Sequence, residues 1–122
     1  MKIKLDFVTN SSSTSFLITC KEPQEEGIFI IPPPMNIKDI PNSEVYSIKT
    51  IKDLDEYMYG FYGDFDKSKD TAYQECKKIL ENGGEIYNLV VERNYGMGAE
   101  LSYGDLPAFD SEDVKCISRE FD

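Results

Sequence analysis

The sequence predicts an α+β fold, a mostly antiparallel sheet of about six strands with two helices packed on one face, in a single domain spanning residues 1–122. Three observations carry this expectation. In KIKLDFV, Ile3, Leu5 and Phe7 alternate with Lys2, Lys4 and Asp6, the period-two pattern of a half-buried strand. Midway along the chain the period changes to that of two successive amphipathic helices. After them, EIYNLVVE is apolar on both faces, as expected of a central strand. A chain of 122 residues with 40% hydrophobic content can bury one core without staples.

The elements follow in order. After KIKLDFV, SFLITCK reads as a second strand with Phe16, Ile18 and Cys20 on one face. GIFII is a third strand, stopped by Pro32, Pro33 and Pro34, which have no N–H for a ladder. SEVYSIK is a shorter fourth. Thr50 with Asp53 three residues later has the form of a capping box, and Ile51, Leu54, Met58 and Phe61 then share one helical face. Ala72, Cys76, Ile79 and Leu80 mark the second helix, closed by Gly83 and Gly84 with Lys77 and Lys78 in its last turn. NYGMGAELSYGDLPAF reads as turns, and VKCISREF as a final edge strand. The core is expected to hold Ile3, Leu5, Phe7, Phe16, Ile18, Leu54, Met58, Ile79, Leu89 and Val91.

Composition removes several function classes. The absence of histidine excludes Ser-His and Cys-His nucleophile pairs and the commonest zinc ligand. Cys20, Cys76 and Cys116 are too scattered for a zinc knuckle or a disulfide framework and are read as reduced, packed thiols. A net charge of −10 repels phosphate backbones, so no direct nucleic-acid binding is expected. No apolar run approaches the ~20 residues of a bilayer-spanning helix, and the lysine-rich start lacks a cleavage site, so cytoplasmic residence without a membrane is expected.

Three stretches are candidate sites. The first is a surface for a protein with a basic face. From Glu100 onward seven acids stand against Lys115 and Arg119, and Tyr95, Met97, Tyr103, Asp105, Asp110, Glu112 and Asp113 combine carboxylates with aromatic anchors. The competing reading is a solvated acidic surface, with tyrosines among Tyr57, Tyr59, Tyr62, Tyr95 and Tyr103 packed in the core. The second is the polar run Thr9, Asn10, Ser11, Ser12, Ser13, Thr14 and Ser15, expected to form a solvent-accessible connection between two paired strands. Its hydroxyls could bond local amides or hold an anion, although the glycines usual in an anion nest are missing. Lysine activation of a serine there would require Lys2, Lys4 or Lys21 to be desolvated, which an alternating strand does not suggest. The third is DFDKSKDTAYQE, where Asp64, Asp66, Ser68, Asp70 and Glu75 have the spacing of an EF-hand calcium loop. Lys69 replaces the turn glycine of that loop and Thr71 the aliphatic residue, so Asp70 is preferred as a helix N-cap and no cofactor is expected. Gly96-Met97-Gly98 lacks the third glycine of a dinucleotide fingerprint.

The string DFVTNSSS followed by SF, within Asp6 to Ile18, resembles the opening of a scattered set of small bacterial proteins, many carried on phages and other mobile elements. Thr14 interrupts the serine run usual there. The resemblance implies a bacterial cytoplasmic origin and an accessory role, and it carries no functional residue across. The expected function is therefore a non-enzymatic binding or regulatory protein acting through the acidic, tyrosine-bearing surface, one version of which is a nucleic-acid-mimicking inhibitor. The alternative is an ion-dependent site, with calcium at the Asp64–Glu75 loop or an anion at the serine-rich run, and with enzyme activity at its far end.

Overall fold

The computed structural model describes residues 13–24, 27–31, 35–63, 66–94 and 96–121, without the side chains of residues 31, 61 and 62. The fold is α+β. Among the described residues its elements are β1 (Ser13–Cys20), β2 (Phe29–Ile31), β3 (Met35–Asn36), a 3-10 turn (Ile37–Asp39), β4 (Ser43–Ile48), α1 (Ile51–Tyr62), α2 (Thr71–Glu81), β5 (Glu85–Glu92), α3 (Gly96–Tyr103), β6 (Ala108–Phe109) and β7 (Val114–Phe121). The strands form two sheets rather than the expected one, a four-stranded antiparallel sheet ordered β4-β5-β1-β7 and a small three-stranded sheet ordered β3-β2-β6. The short strands β2, β3 and β6 cannot extend the main ladder; they close over one face of it.

The caps on both main helices follow the sequence. Thr50 Oγ1 accepts the Asp53 N–H at 3.1 Å to start α1, and Asp70 Oδ1 accepts the Tyr73 N–H at 2.7 Å to start α2. Each bond satisfies one of the amides that a first helical turn leaves open. At the far end of α2 the chain turns through Gly83 at φ 86°, the left-handed position read from the glycine pair.

Apolar side chains fill both faces of the main sheet. On one face Leu17, Ile48 and Ile86 meet Leu54, Tyr57 and Met58 of α1 and Tyr73 and Cys76 of α2. On the other, Phe16, Ile18, Tyr87, Leu89 and Val91 pack with Ile28, Ile30 and Ile37 and with Leu101 of α3. The expected helix pair therefore covers one face, while α3 and the small sheet cover the second. Of the expected core, Phe16, Ile18, Leu54, Met58, Leu89 and Val91 are buried, Ile79 is half-buried at the rim, and Ile3, Leu5 and Phe7 lie outside the described residues.

The serine-rich run requires a correction. Thr9, Asn10, Ser11 and Ser12 lie outside the described residues, but Ser13, Thr14 and Ser15 are the first residues of β1 and are buried at 2%, 0% and 2% exposure. They do not form a solvent-accessible loop. β1 pairs with β5 from Ser13 to Cys20 and with β7 from Thr14 to Cys20, so both of its edges are taken. The hairpin expected between the KIKLDFV segment, itself outside the described residues, and SFLITC has no open edge on β1 to use.

Small hydroxyls suit this position because they can find partners inside the fold. Ser102 Oγ of α3 donates to Thr14 Oγ1 at 2.7 Å, and both residues are fully buried. Thr14→Val is expected to cost about 1–3 kcal/mol by leaving the Ser102 hydroxyl buried without this partner, and Thr14→Val with Ser102→Ala to recover much of the loss. Urea denaturation of the single and double variants measures both. Equal losses in the two would mean that the hydroxyl pair contributes only volume.

Candidate functional site

β7, the last strand of the main sheet among the described residues, organises the candidate surfaces, because elements from both faces of the sheet reach it. Ile18 pairs with Cys116 and Leu17 with Ser118, so Ile117 is an extra residue, a β-bulge. The bulge shifts the phase of every side chain after it. As a result Arg119 and Phe121 share a face with Phe16 and Thr14, towards α3, rather than pointing to the α1–α2 side.

That shift builds an aromatic pair. Tyr103, at the end of α3, is 65% exposed and Phe121 is 53% exposed, with ring centroids 5.6 Å apart and planes tilted by 40°. The guanidinium of Arg93 lies 5.3 Å from the Phe121 ring centroid, within cation–π range, and also donates to the Ser13 carbonyl. Arg119 Nη1 donates to the carbonyls of Leu101 at 3.1 Å and Gly104 at 2.8 Å, tying the end of α3 to β7. Leu106, 57% exposed, and the exposed Asp105 follow directly along the chain.

The residues expected to make one acidic, aromatic surface are divided among separate places. Tyr103 and Asp105 stand at the Phe121 end of β7. Glu112 and Asp113 precede Val114 at the opposite end, about 23 Å away at the rise of an extended strand. Asp110 is exposed just after β6, Met97 is half-buried against the core and cannot serve as an exposed anchor, and Tyr95 lies outside the described residues. Of the other tyrosines considered, Tyr57 is buried, Tyr59 is 45% exposed, and the Tyr62 side chain lies outside the description. NYGMGAELSYGD folds mainly as α3 instead of turns. Its two glycines serve different ends: Gly96 takes a left-handed φ of 66° at the start of the helix, and Gly98 brings the helix backbone against Glu92 of β5.

Glu112 and Asp113 line a cleft of about 520 Å³ together with Glu75 and three lysines, Lys21, Lys78 and Lys115. Lys115 Nζ is 3.3 Å from Glu75 Oε2. Opposite charges are thus mixed here, and the cleft is not a single-sign patch. A second cleft, of about 420 Å³, lies beside β4 and is lined in part by Lys38, Lys49, Glu85 and Tyr87.

The acidic loop between α1 and α2 holds itself with protein partners. Asp66 Oδ1 accepts from the Ser68 N–H at 3.0 Å and the Ser68 hydroxyl at 2.6 Å, which holds the Asp66 carboxyl below its usual range. Asp70 caps α2, and Glu75 turns to Lys115 on β7. Asp64 lies outside the described residues. Lys67 pairs with Asp55 at 2.8 Å, and the Tyr73 hydroxyl donates to the other Asp55 oxygen at 2.7 Å, fastening the loop to α1. The hydrogen bond from Lys67, followed by that from Tyr73, lowers the Asp55 pKa despite opposing desolvation. Among the described residues no group of three or more histidine, cysteine, aspartate or glutamate side chains is placed to hold a metal ion.

The thiols are not activated. Burial pushes Cys20 and Cys76 up to about 12, with Glu85 adding to the effect at Cys20 and Glu75 and Asp70 at Cys76. Cys116 is pushed up to about 11 by burial, against the lowering pull of Arg119. All three are free cysteines.

Sequence reasoning missed Phe121, Leu106, Arg93 and the Asp55–Lys67–Tyr73 cluster. Phe121 had a signal, since an aromatic residue in an edge strand beside charged neighbours invites exposure. Its direction depends on the bulge, which no residue type announces. Comparison with protein families, with curated proteins and with solved structures finds no match. Fold and surface define the chain as an α+β protein with an exposed aromatic pair where α3 meets β7. No helix among the described residues is long and apolar enough to cross a membrane.

Proposed function

We propose that the protein is a non-enzymatic binding or regulatory protein that engages a basic protein partner, with Tyr103 and Phe121 as aromatic anchors and the surrounding carboxylates steering the encounter. The observation that supports this reading is the exposed ring pair, held in place by the Arg119 bonds to the end of α3. Large, rigid side chains fixed from below bind without losing much conformational freedom, which is why tyrosines recur at interface hot spots. A net charge of −10 supplies attraction to a basic surface and suppresses acidic competitors. An accessory role on a mobile element, including occupation of a nucleic-acid-binding groove by carboxylates, is a specific version of the same proposal.

The ion-dependent alternative has less support. The Asp66, Asp70 and Glu75 carboxylates already have protein partners, and Ser13, Thr14 and Ser15 are buried in β1.

The test begins with affinity capture from a bacterial host, followed by titration of the captured, purified partner. Tyr103→Ala is expected to weaken binding at least about tenfold, the scale of an interface hot spot. The fold should be unaffected, because the ring is mostly in solvent. Unchanged affinity for Tyr103→Ala would remove this surface as the binding site.

A further inference from the structure

We propose that the cleft of about 520 Å³ between α2 and the adjoining ends of β1 and β7 binds a small zwitterion, a free α-amino acid with an apolar side chain. The site lies at the end of β7 remote from Tyr103 and Phe121, and it does not depend on the partner proposed for them.

Three pieces of chain build its walls. β1 contributes Thr19, opposite Lys115 of β7 in the ladder, and the chain just past β1 contributes Lys21. From α2 come Glu75 and, three and four positions later and so on the same stripe of the helix, Lys78 and Ile79. The turn before β7 supplies Glu112 and Asp113. Ser111 fixes that turn, its Oγ accepting the Asp113 N–H at 3.2 Å and its carbonyl the Val114 N–H at 3.3 Å. The Lys21 N–H donates to the Asp113 carbonyl at 3.0 Å, which ties the turn to β1. The charged groups therefore stand on a frame already fixed by the fold.

The charges on that frame are only partly matched. Lys115 and Glu75 satisfy each other at 3.3 Å. Among the described residues the side chains of Lys21, Lys78, Glu112 and Asp113 take part in no ion pair or hydrogen bond, so two cations and two carboxylates line one hollow without partners. A simple anion would meet the lysines but also both carboxylates, and a simple cation the reverse. A molecule with an ammonium and a carboxylate on one carbon answers both signs, and it adds no net charge to a chain of −10. Thr19 supplies a further polar contact. It is 3% exposed, and its hydroxyl has one described bond, to the Lys115 carbonyl at 3.5 Å. That length is at the limit of hydrogen bonding, so the hydroxyl remains a donor for a ligand carboxylate. Ile79, half-buried, gives an apolar side chain a surface to rest on. The volume is that of a small-molecule site, about 300–1,000 Å³.

Equilibrium dialysis of the full chain against labelled L-leucine tests the proposal, with isoamylamine and isocaproate as competitors. These keep the leucine side chain and lose its carboxylate and its ammonium respectively. Leucine is expected to be retained, and each competitor to bind about tenfold more weakly or less, having one charge answered and the other set of protein charges left unmet. Lys78→Ala and Glu112→Gln, both at exposed positions, are each expected to lower leucine affinity by about tenfold. Circular dichroism confirms that the variants fold. A chain that retains no leucine at millimolar concentration overturns the proposal. So does a competitor that binds as tightly as leucine, since one charge would then suffice. Unchanged affinity in either folded variant also overturns it, because leucine would then be held without the charge assigned to it.

Discussion

Leu89→Ala is expected to lower the unfolding free energy by about 2–5 kcal/mol, the range for truncating a buried leucine in a core that cannot collapse around the gap. Leu89 is 1% exposed in β5, opposite Phe16 on β1 and Val45 on β4. Both neighbouring strands are hydrogen-bonded along their length to β5, so neither can move in to refill the space without breaking ladder bonds. The vacancy would open towards Ile28, Ile30, Ile37 and Leu101, joining the small sheet and α3 in one loss of packing. Equilibrium denaturation in urea measures the change. A cost under about 0.5 kcal/mol, the usual scale for surface positions, would show that this face is not the packed core described above.

Gly98→Ala is expected to be destabilising, against the usual gain from replacing a helical glycine. Alanine favours a helix interior by up to about 1 kcal/mol over glycine. At this position, however, a Cβ would sit 1.6 Å from the Glu92 carbonyl oxygen and 2.8 Å from its carbon. Both atoms belong to the backbone of β5, and no rotamer change can clear them. α3 must therefore lift from the sheet, stretching the Ser102–Thr14 bond and the Arg119 bonds to Leu101 and Gly104. Overpacking of this kind costs about 1–3 kcal/mol or more, enough to outweigh the propensity gain. Thermal melting gives the sign directly: a higher melting temperature for Gly98→Ala would mean that α3 does not approach β5 so closely.

The parts of this fold that were legible are those governed by local physical chemistry. Thr50 and Asp70 announce helix starts because a side-chain oxygen at the N-cap has only neighbouring amides to satisfy. EIYNLVVE announces a central strand because burial on both faces leaves its apolar residues without alternation; its Asn88 is buried near the Phe16 carbonyl and the Tyr57 hydroxyl, each at 3.4 Å. The serine run misled because composition alone suggests a loop. Ser13, Thr14 and Ser15 are small enough to lie under packed layers, and Thr14 has Ser102 as a partner 88 positions later in the sequence. The third helix was hidden for a related reason. Gly96 and Gly98 weaken the helical signal, yet Gly98 is needed for contact with β5, a requirement set by a distant strand. The candidate surface divided because Tyr103 and Asp105 meet the far end of β7 while Glu112 and Asp113 lead into its start, and nearness in sequence does not reveal that the later strand runs back between the two groups.

The central place of β1 also has a consequence for how the chain acquires its shape while it is being made. β1 is among the first described segments to be synthesised, but its partners on either side are β5 and β7, the latter about a hundred residues later, a separation that makes ladder closure slow. Until β5 has been synthesised, the apolar faces carried by Phe16, Leu17 and Ile18 have no described strand to join, and the second edge of β1 waits for β7. The α1–α2 pair can form on its own during that interval, because its caps and its Lys67–Asp55 clasp are local. A nascent chain halted before β5 would therefore present helices already wound and a β1 strand still in need of shelter, the kind of species that chaperones retain.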